Sequence, residues 1–442
     1  MSIQPEPTAG RPYAYPTLRG CGLPARFGAV ALAAMVALPL AAPGAWAASY
    51  RAYPPPVASP DHGSRVLLVD PHDPVASPFG WHDTNGVAGA EFTTLQGNNV
   101  HVYLDVNSDN LPDGPGPNGA AALAFDAAFD PAQQPSGYYD ALAINAFVWY
   151  NRLHDIFYRH GFTPARGNMQ ANNYGQGGLG NDALRVEIAD GGQVNNLTPG
   201  SGVDGTSPRI THYVWNQTVP HREASFDGGV MTWGFASTMY PRLRPGCLAP
   251  TESPHGGYAD FFATLVTANF ATTTPATPRG MATYLLGQPV TGTGIRPAPY
   301  STDLTVNSYT YAQMSALAAP HGTGMVWASA MWDATWAMVQ RLGASHDLLA
   351  GVGGENRMLR VAIEAIATQA CQPGFVDARN AVLAGNQALY GGDGQCALWG
   401  AFARRGLGFS ASQGSAASIV DGTPAFDVPP VCLDTLFASG LQ

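Results

Sequence analysis

DALAINAFVWYNRLHDIFYRH, residues 140–160, is the stretch on which the reading of the fold turns. It holds no Gly or Pro, and Ala143, Phe147, Tyr150, Leu153 and Phe157 recur at steps of three and four. That spacing predicts an amphipathic helix, ended by Gly161. Before it, over 49–134, the chain is rich in Pro, Gly and short β-prone runs. Val66–Val69 and Val100–Leu104 are the clearest strands, bounded by Asp, Asn, Gly and Pro turns. After it comes a Gly/Asn-rich stretch with strands expected at 184–188 and 210–215. Helical patterns follow at 258–268, 324–342, 357–370, 376–389 and 395–406. Strand-rich sequence followed by helical sequence predicts an α+β architecture of two lobes, with a cleft near residues 230–260 where they meet. The expected segments are 1–47, a β-rich N-terminal lobe over 48–240, a helical C-terminal lobe over 241–409, and a loop-like tail over 410–442.

Composition narrows the class. Of 442 residues, 45% are hydrophobic, which excludes a disordered or fibrous chain. Charged residues make up only 12%, while Gly (52) and Pro (37) are plentiful, as in a loop-rich extracellular scaffold. At the start, Arg11, Arg19 and Arg26 precede an apolar run over 27–42 and Ala45-Trp46-Ala47, the pattern of a secretory signal with its cleavage site. The apolar run is shorter than the roughly 20 residues of a membrane span. The formal charge is -10 and grows more negative once Arg11, Arg19, Arg26 and Glu6 leave. An acidic surface without a basic run excludes nucleic acid and anionic membranes as partners. Cys21 leaves with the signal, and Cys247, Cys371, Cys396 and Cys432 predict two disulfides in an exported protein. Three pairings are possible; the shortest loop favours Cys371–Cys396, which leaves Cys247–Cys432. Nothing in the sequence specifies an oligomeric state.

Several runs, in order, carry a resemblance. They are Asp70-Pro71 with Ala76-Ser77-Pro78-Phe79-Gly80-Trp81-His82, then Asn151 with His154-Asp155-Ile156-Phe157-Tyr158. Gly167-Asn168, Asn172-Asn173 and Gly177-Gly178-Leu179-Gly180-Asn181-Asp182 follow. Later come Gly294-Ile295-Arg296-Pro297, Pro299-Tyr300-Ser301-Thr302-Asp303, Phe375-Val376-Asp377-Ala378-Arg379 and Ala401 to Gly408. Over about 66–409 these resemble the fungalysins, secreted zinc endopeptidases with a thermolysin-like, two-lobed catalytic domain. The resemblance implies two His at i and i+4 on one helix, a Glu after the first His as general base, and a third ligand Glu on a second helix. It places those positions without a gap. The first His position is Trp233, the general-base position Gly234, the second His position Ser237, and the third-ligand position Gly256. Asp260, which in the family orients a ligand His, is kept.

A rebuilt site would need other ligands. No two His are four residues apart and no Glu follows a His, so neither the motif nor its inverse occurs. Glu252, His255 and His321 are the groups that could converge on the old cleft. Ser237, His255 and Asp260 also suggest a Ser-His-Asp set, but no nucleophile elbow surrounds Ser237. Trp233 reads first as an apolar ring filling space left by metal and imidazoles, and second as a platform for a peptide. His154 and His160 read as surface or capping residues, and Arg296 and Arg379 as buried ion-pair members. Asp105, Asn107, Asp109 and Asp113 have the spacing of a calcium loop. The same residues make an Asx-turn connector, favoured by the single copy and the lack of a twelfth-position Glu.

These readings predict a secreted, bacterial, fungalysin-like pseudopeptidase that takes no zinc and is non-catalytic, with peptides or proteins as partners in its cleft. Fungalysins carry a long inhibitory prodomain, and family-like sequence that begins soon after the signal fits a chain with no need of latency. The alternative is an active secreted zinc metalloendopeptidase with a rebuilt site.

Overall fold

The 21 residues Tyr139–Arg159 form helix α1, as the spacing predicts, but the helix is buried nearly all round. Its polar residues explain how. Asp155 accepts from Ser77 Oγ (2.6 Å), Trp81 Nε1 (3.0 Å) and the Asp73 amide (3.0 Å). Asn145 takes the Tyr53 amide at 2.8 Å and donates to the Ser225 carbonyl at 2.6 Å. A helix with satisfied polar groups on every face serves as the spine of a lobe, where a one-sided helix covers a surface. His154 is therefore not a surface residue: it is buried, with Nδ1 3.0 Å from Asp155. His160 does cap the helix, and its Nε2 lies 2.8 Å from the Leu348 carbonyl.

The computed structural model describes residues 47–247 and 249–433. All but the last residue of the expected signal lies outside that range, as does the end of the tail. Two sheets flank α1. Ser49–Ala52 (β1) pairs antiparallel with Val66–Val69 (β2) and parallel with Ala124–Phe125 (β4). The larger sheet runs β3-β5-β7-β6, from Val100–Leu104 (β3), Leu184–Val194 (β5), Arg209–Trp215 (β7) and Leu197–Thr198 (β6). β3, β5 and β7 are parallel; β6 and Arg222–Glu223 (β8) each pair antiparallel with β7. β5 outruns its expected end because register shifts after Glu187 and Asp190 bend it past its neighbour.

From residue 228 the chain is helical: Gly228–Leu243 (α2), His255–Val266 (α3), His321–Leu342 (α4), Gly354–Thr368 (α5), Phe375–Tyr390 (α6) and Gln395–Arg404 (α7). This is the mixed strand-then-helix architecture expected. The boundary drawn at 240/241 falls inside α2, and one continuous apolar core joins the strand-bearing and helical halves. α4 runs through the helical half with Trp327 and Trp332 fully buried. Among the described residues, no helix is long and apolar enough to cross a membrane.

The expected disulfides are corrected. Cys247 pairs with Cys371, and Cys396 with Cys432. Cys247 follows α2 and Cys371 follows α5, two helices that pack together, with Gln369 donating to Tyr240 Oη at 2.7 Å beside the bridge. The nearest partner in sequence is not the nearest in space.

Candidate functional site

The N-terminus of α2 is fixed by Asp227, whose carboxylate accepts from the Val230 amide at 3.0 Å. One helical turn on, Gly234 packs against Leu197 of β6 and Ile210 of β7, with Trp233 beside it and Ser237 a turn further along. A cavity of about 280 Å³ opens there, lined by Asn196, Leu197, Trp215, Trp233, Arg296 and His321. The cleft is expected near residues 230–260; of that range only Val230 and Trp233 line this cavity, the rest coming from 195–197, 215, 281, 295–296 and 321. Trp233 forms part of its wall, half-buried, with its ring centroid 6.0 Å from that of His321. The ring therefore lines the cleft and leaves it open, so it does not act as a complete plug.

Gly234 is packed tightly. A Cβ at this position would lie 2.7 Å from Leu197 Cδ2 and 3.4 Å from Ile210 Cγ2. Leu197 is buried, so any side chain at 234 must displace it. Gly256 is different: a Cβ there would meet only the Pro320 carbonyl, at 3.7 Å. An indole ring, a hydroxyl and a bare Cα supply neither imidazole nor carboxylate. The residues at Trp233, Ser237 and Gly256 do not fit a zinc ion as ligands.

The other groups named from the sequence are held apart. His255 stacks on Tyr240 (centroids 4.2 Å, interplanar angle 13°), and its Nε2 lies 3.2 Å from the Ser237 main-chain carbonyl, not the hydroxyl. Burial lowers the affinity of His255 for a proton, partly offset by that carbonyl. Asp260 is no partner for His255. It receives Arg296 through two bonds of 2.7 Å and the Tyr300 hydroxyl besides. The Ser-His-Asp order in sequence is thus no triad in space. Glu252 is buried elsewhere, accepting from Tyr311 Oη at 3.0 Å and the Phe375 amide at 2.8 Å. Its carboxyl is pushed up to about 7, chiefly by burial. His321 opens α4 on the cleft side, its proton affinity lowered by burial and by Arg296. Glu252, His255 and His321 each have separate partners or places and do not converge.

Arg296 is the ion-pair member expected. Arg379 is not: it donates to the Leu407 carbonyl (3.1 Å) and the Gly408 carbonyl and lies 4.8 Å over the Trp399 ring. In the expected calcium loop, Asp105 accepts from the amides of Asp109 and Asn110, both at 2.9 Å. Asp109 takes the Leu111 amide at 2.9 Å, Asn107 the Asp109 amide at 2.9 Å, and Asp113 the Asn107 amide at 3.2 Å. These are the bonds of an Asx-turn connector. Asp105 also meets Glu187 and Asp190, their oxygens within 4.8 Å of one another. Glu187 there is already served by Tyr103 (2.9 Å), Thr211 (3.0 Å) and Arg209 (3.1 Å).

Sequence reasoning did not single out Leu197, which occupies the space above Gly234, or Trp215 across the cleft. The one available signal was an apolar residue in a short strand after Asn195-Asn196, which carries no address. Both positions become meaningful only once β6 is laid against α2.

Comparison with known proteins supplies the family. The profile of the Fungalysin metallopeptidase family matches residues 49–411. An extracellular metalloproteinase of Pyrenophora tritici-repentis is 34% identical over 412 residues, covering 89% of this chain and 61% of the relative. The extracellular metalloproteinases of Fusarium vanettenii (34% over 383 residues) and Aspergillus fumigatus (33% over 384) each cover 83% of this chain and 59% of their own. The chain thus spans about three fifths of the length of these relatives. Among solved structures, the precursor of protealysin, a metalloproteinase from Serratia proteamaculans, matches with a TM-score of 0.42 and 10% identity, over 72% of this chain and 90% of that one.

Two expectations are corrected by these matches. The expectation that the chain takes no zinc is overturned: it rested on vacant positions, whereas the match over most of the chain is to a metallopeptidase family whose relatives are named metalloproteinases. The unfitting side chains at 233, 237 and 256 describe those positions alone. The expected bacterial source is overturned because these relatives are extracellular proteins of fungi.

Proposed function

The chain belongs to the fungalysin metallopeptidase family, and from that premise we propose that it is an exported member whose cleft holds peptides without hydrolysing them through the family's general base. The observation that carries the reading is Gly234. The position that matches the general base has no side chain, and Leu197 stands 2.7 Å from where its Cβ would be. Loss of a proton acceptor at that point removes the step in which water is activated. The cleft itself persists, with aromatic walls at Trp215 and Trp233 and polar groups at Asn196, Arg296 and His321. An apolar concavity with a few polar groups suits an extended peptide carrying an aromatic or aliphatic side chain. Export is supported by two disulfides and by the extracellular relatives. The expected signal at 1–47, nucleic acid and membranes as non-partners, and the cleft as the contact surface belong to the same proposal.

The test uses the purified chain with casein and a panel of fluorescent peptides. Binding of apolar peptides by polarisation, weakened in Trp233→Ala, with casein left intact, is the expected result. Chelator-sensitive cleavage of casein that survives Trp233→Ala and is lost in His321→Ala would overturn it in favour of an active metalloendopeptidase.

A further inference from the structure

The triplet Asn-X-Ser/Thr, with X other than Pro, occurs twice in the sequence, as Asn196-Leu197-Thr198 and Asn216-Gln217-Thr218. In exported proteins this triplet is the acceptor of N-linked glycans, and so bulky a group needs a surface position. The fold treats the two triplets differently. In the first, Asn196 Nδ2 donates to Gln193 Oε1 at 2.9 Å, and its Oδ1 accepts the Leu197 amide at 2.9 Å. Leu197 and Thr198 form β6 and pair with His212 and Thr211 of β7, and Asn196 itself lines the cleft. A sugar on Asn196 would disturb the bond to Gln193 and stand in the cleft.

The second triplet lies in the loop that joins β7 to β8, directly after Trp215. Asn216 and Gln217 are both exposed. Asn195 fixes the acceptor in place: its Nδ2 donates to Asn216 Oδ1 (2.8 Å), and its Oδ1 accepts the Asn216 main-chain amide (2.9 Å). Gln217 Nε2 adds a longer bond to the same Asn216 Oδ1, at 3.3 Å. These bonds hold the side chain by its oxygen. Asn216 Nδ2, the atom that takes a sugar, makes no hydrogen bond among the described residues. A glycan can therefore be attached there with the loop's hydrogen bonds intact, and it meets solvent, not core. We propose that Asn216 carries an N-linked glycan, placed beside the cleft that Trp215 and Asn195 line. The proposal rests on the export proposed above, through a secretory pathway of the eukaryotic kind. There the donor is an oligosaccharide joined to a lipid through pyrophosphate. The amide nitrogen bonds to the anomeric carbon as that carbon's bond to the pyrophosphate oxygen breaks. The lipid pyrophosphate leaves, and one of the two amide hydrogens passes to a base of the transferase.

The whole chain is made in a secreting yeast, once with its own residues 1–47 and once with the host's leader in their place. Peptide-N-glycosidase in heavy-oxygen water converts a glycosylated Asn into labelled Asp, which peptide mass mapping locates. Protein from cells and medium alike is mapped, so a variant that enters the pathway but folds poorly is still scored. Label at 216 and none at 196 is the expected result. Thr218→Ala should abolish the label at 216, and Thr218→Ser should keep it. Host-led chain without label at 216, or a label there that survives Thr218→Ala, overturns the proposal. If the host-led chain is labelled while the chain with its own 1–47 never reaches the pathway, the site stands and the export reading falls.

Discussion

Two regions reach the cleft, one through Arg296 and the other through Trp233, and they are built differently. One is the frame: Asp260, Arg296 and Tyr300 from α3 and the segment before α4, closed on each other by short hydrogen bonds in a buried cluster. The other is the stretch of α2 with Trp233, Gly234 and Ser237, the positions to which the resemblance assigns the family's chemistry. The frame keeps the residue types of the resembling runs, and the α2 stretch does not. Arg296 and Asp260 tie the segment before α4 to α3 within the helical half whatever the cleft does, because each would be an uncompensated buried charge alone. Trp233 and Gly234 answer only to local packing, and packing accepts an indole and a glycine there once Leu197 moves in.

The largest expected effect tests the frame. Asp260→Asn leaves Arg296 buried with one weak partner and should cost about 3–5 kcal/mol of stability, read by urea denaturation. A loss below about 1 kcal/mol would mean that the Asp260–Arg296 pair contributes little to the fold. The next tests the α2 stretch. Gly234→Glu drives a side chain into Leu197 and should cost about 2–3 kcal/mol. In Gly234→Glu with Leu197→Ala the two costs should sum to less than their separate values, since one change makes room for the other. Full additivity would show that Leu197 is not what fills the space. Smaller again is Trp233→Ala. With the ring half-buried, the stability loss should be about 1–1.5 kcal/mol, while the Kd of a cleft-bound apolar peptide should rise by roughly tenfold. Unchanged peptide affinity would make the ring a wall and no more.

Much of this frame is legible in the sequence, and for one reason: helices write their period locally. The pattern over 140–160 places α1 within a residue at each end, and Gly161 marks where it stops. What that pattern conceals is that α1 is buried all round, because Asn145, Asn151 and Asp155 look like a wet face until their partners Tyr53, Asn99 and Ser77 arrive from far along the chain. β1 is missed because four residues, Ser49–Ala52, carry no period of their own; Tyr50 is defined by the rings of Phe125 and His82 that stack on it. The disulfides are misread because proximity in sequence stands in for proximity between α2 and α5. At the site, the positions that the resemblance assigns to the chemistry can be read directly, but Leu197 above Gly234 is a fact of packing that no spacing announces.

The smallest expected effect asks whether the frame extends to Glu252, which ties the start of α3 to Tyr311 and to the first residue of α6. Its carboxyl has a folded-state value of about 7 against an ordinary 4.5, and burial is the main cause. A group raised on folding contributes stability that is fully present below about pH 4.5 and is lost as pH rises through 7. Relative to Glu252→Gln, the unmodified protein should therefore lose stability between pH 4.5 and 7 and no further above it. His160 works in the opposite direction: burial lowers it to about 4, so its contribution is present above pH 6.5 and lost as pH falls toward 4. The two slopes oppose each other in a single melting profile, and only the difference between variant and parent isolates Glu252, since His160 is common to both. Parallel denaturation curves at pH 5, 6 and 8 with a constant gap would place Glu252 outside the frame, as a carboxylate whose charge the fold does not feel.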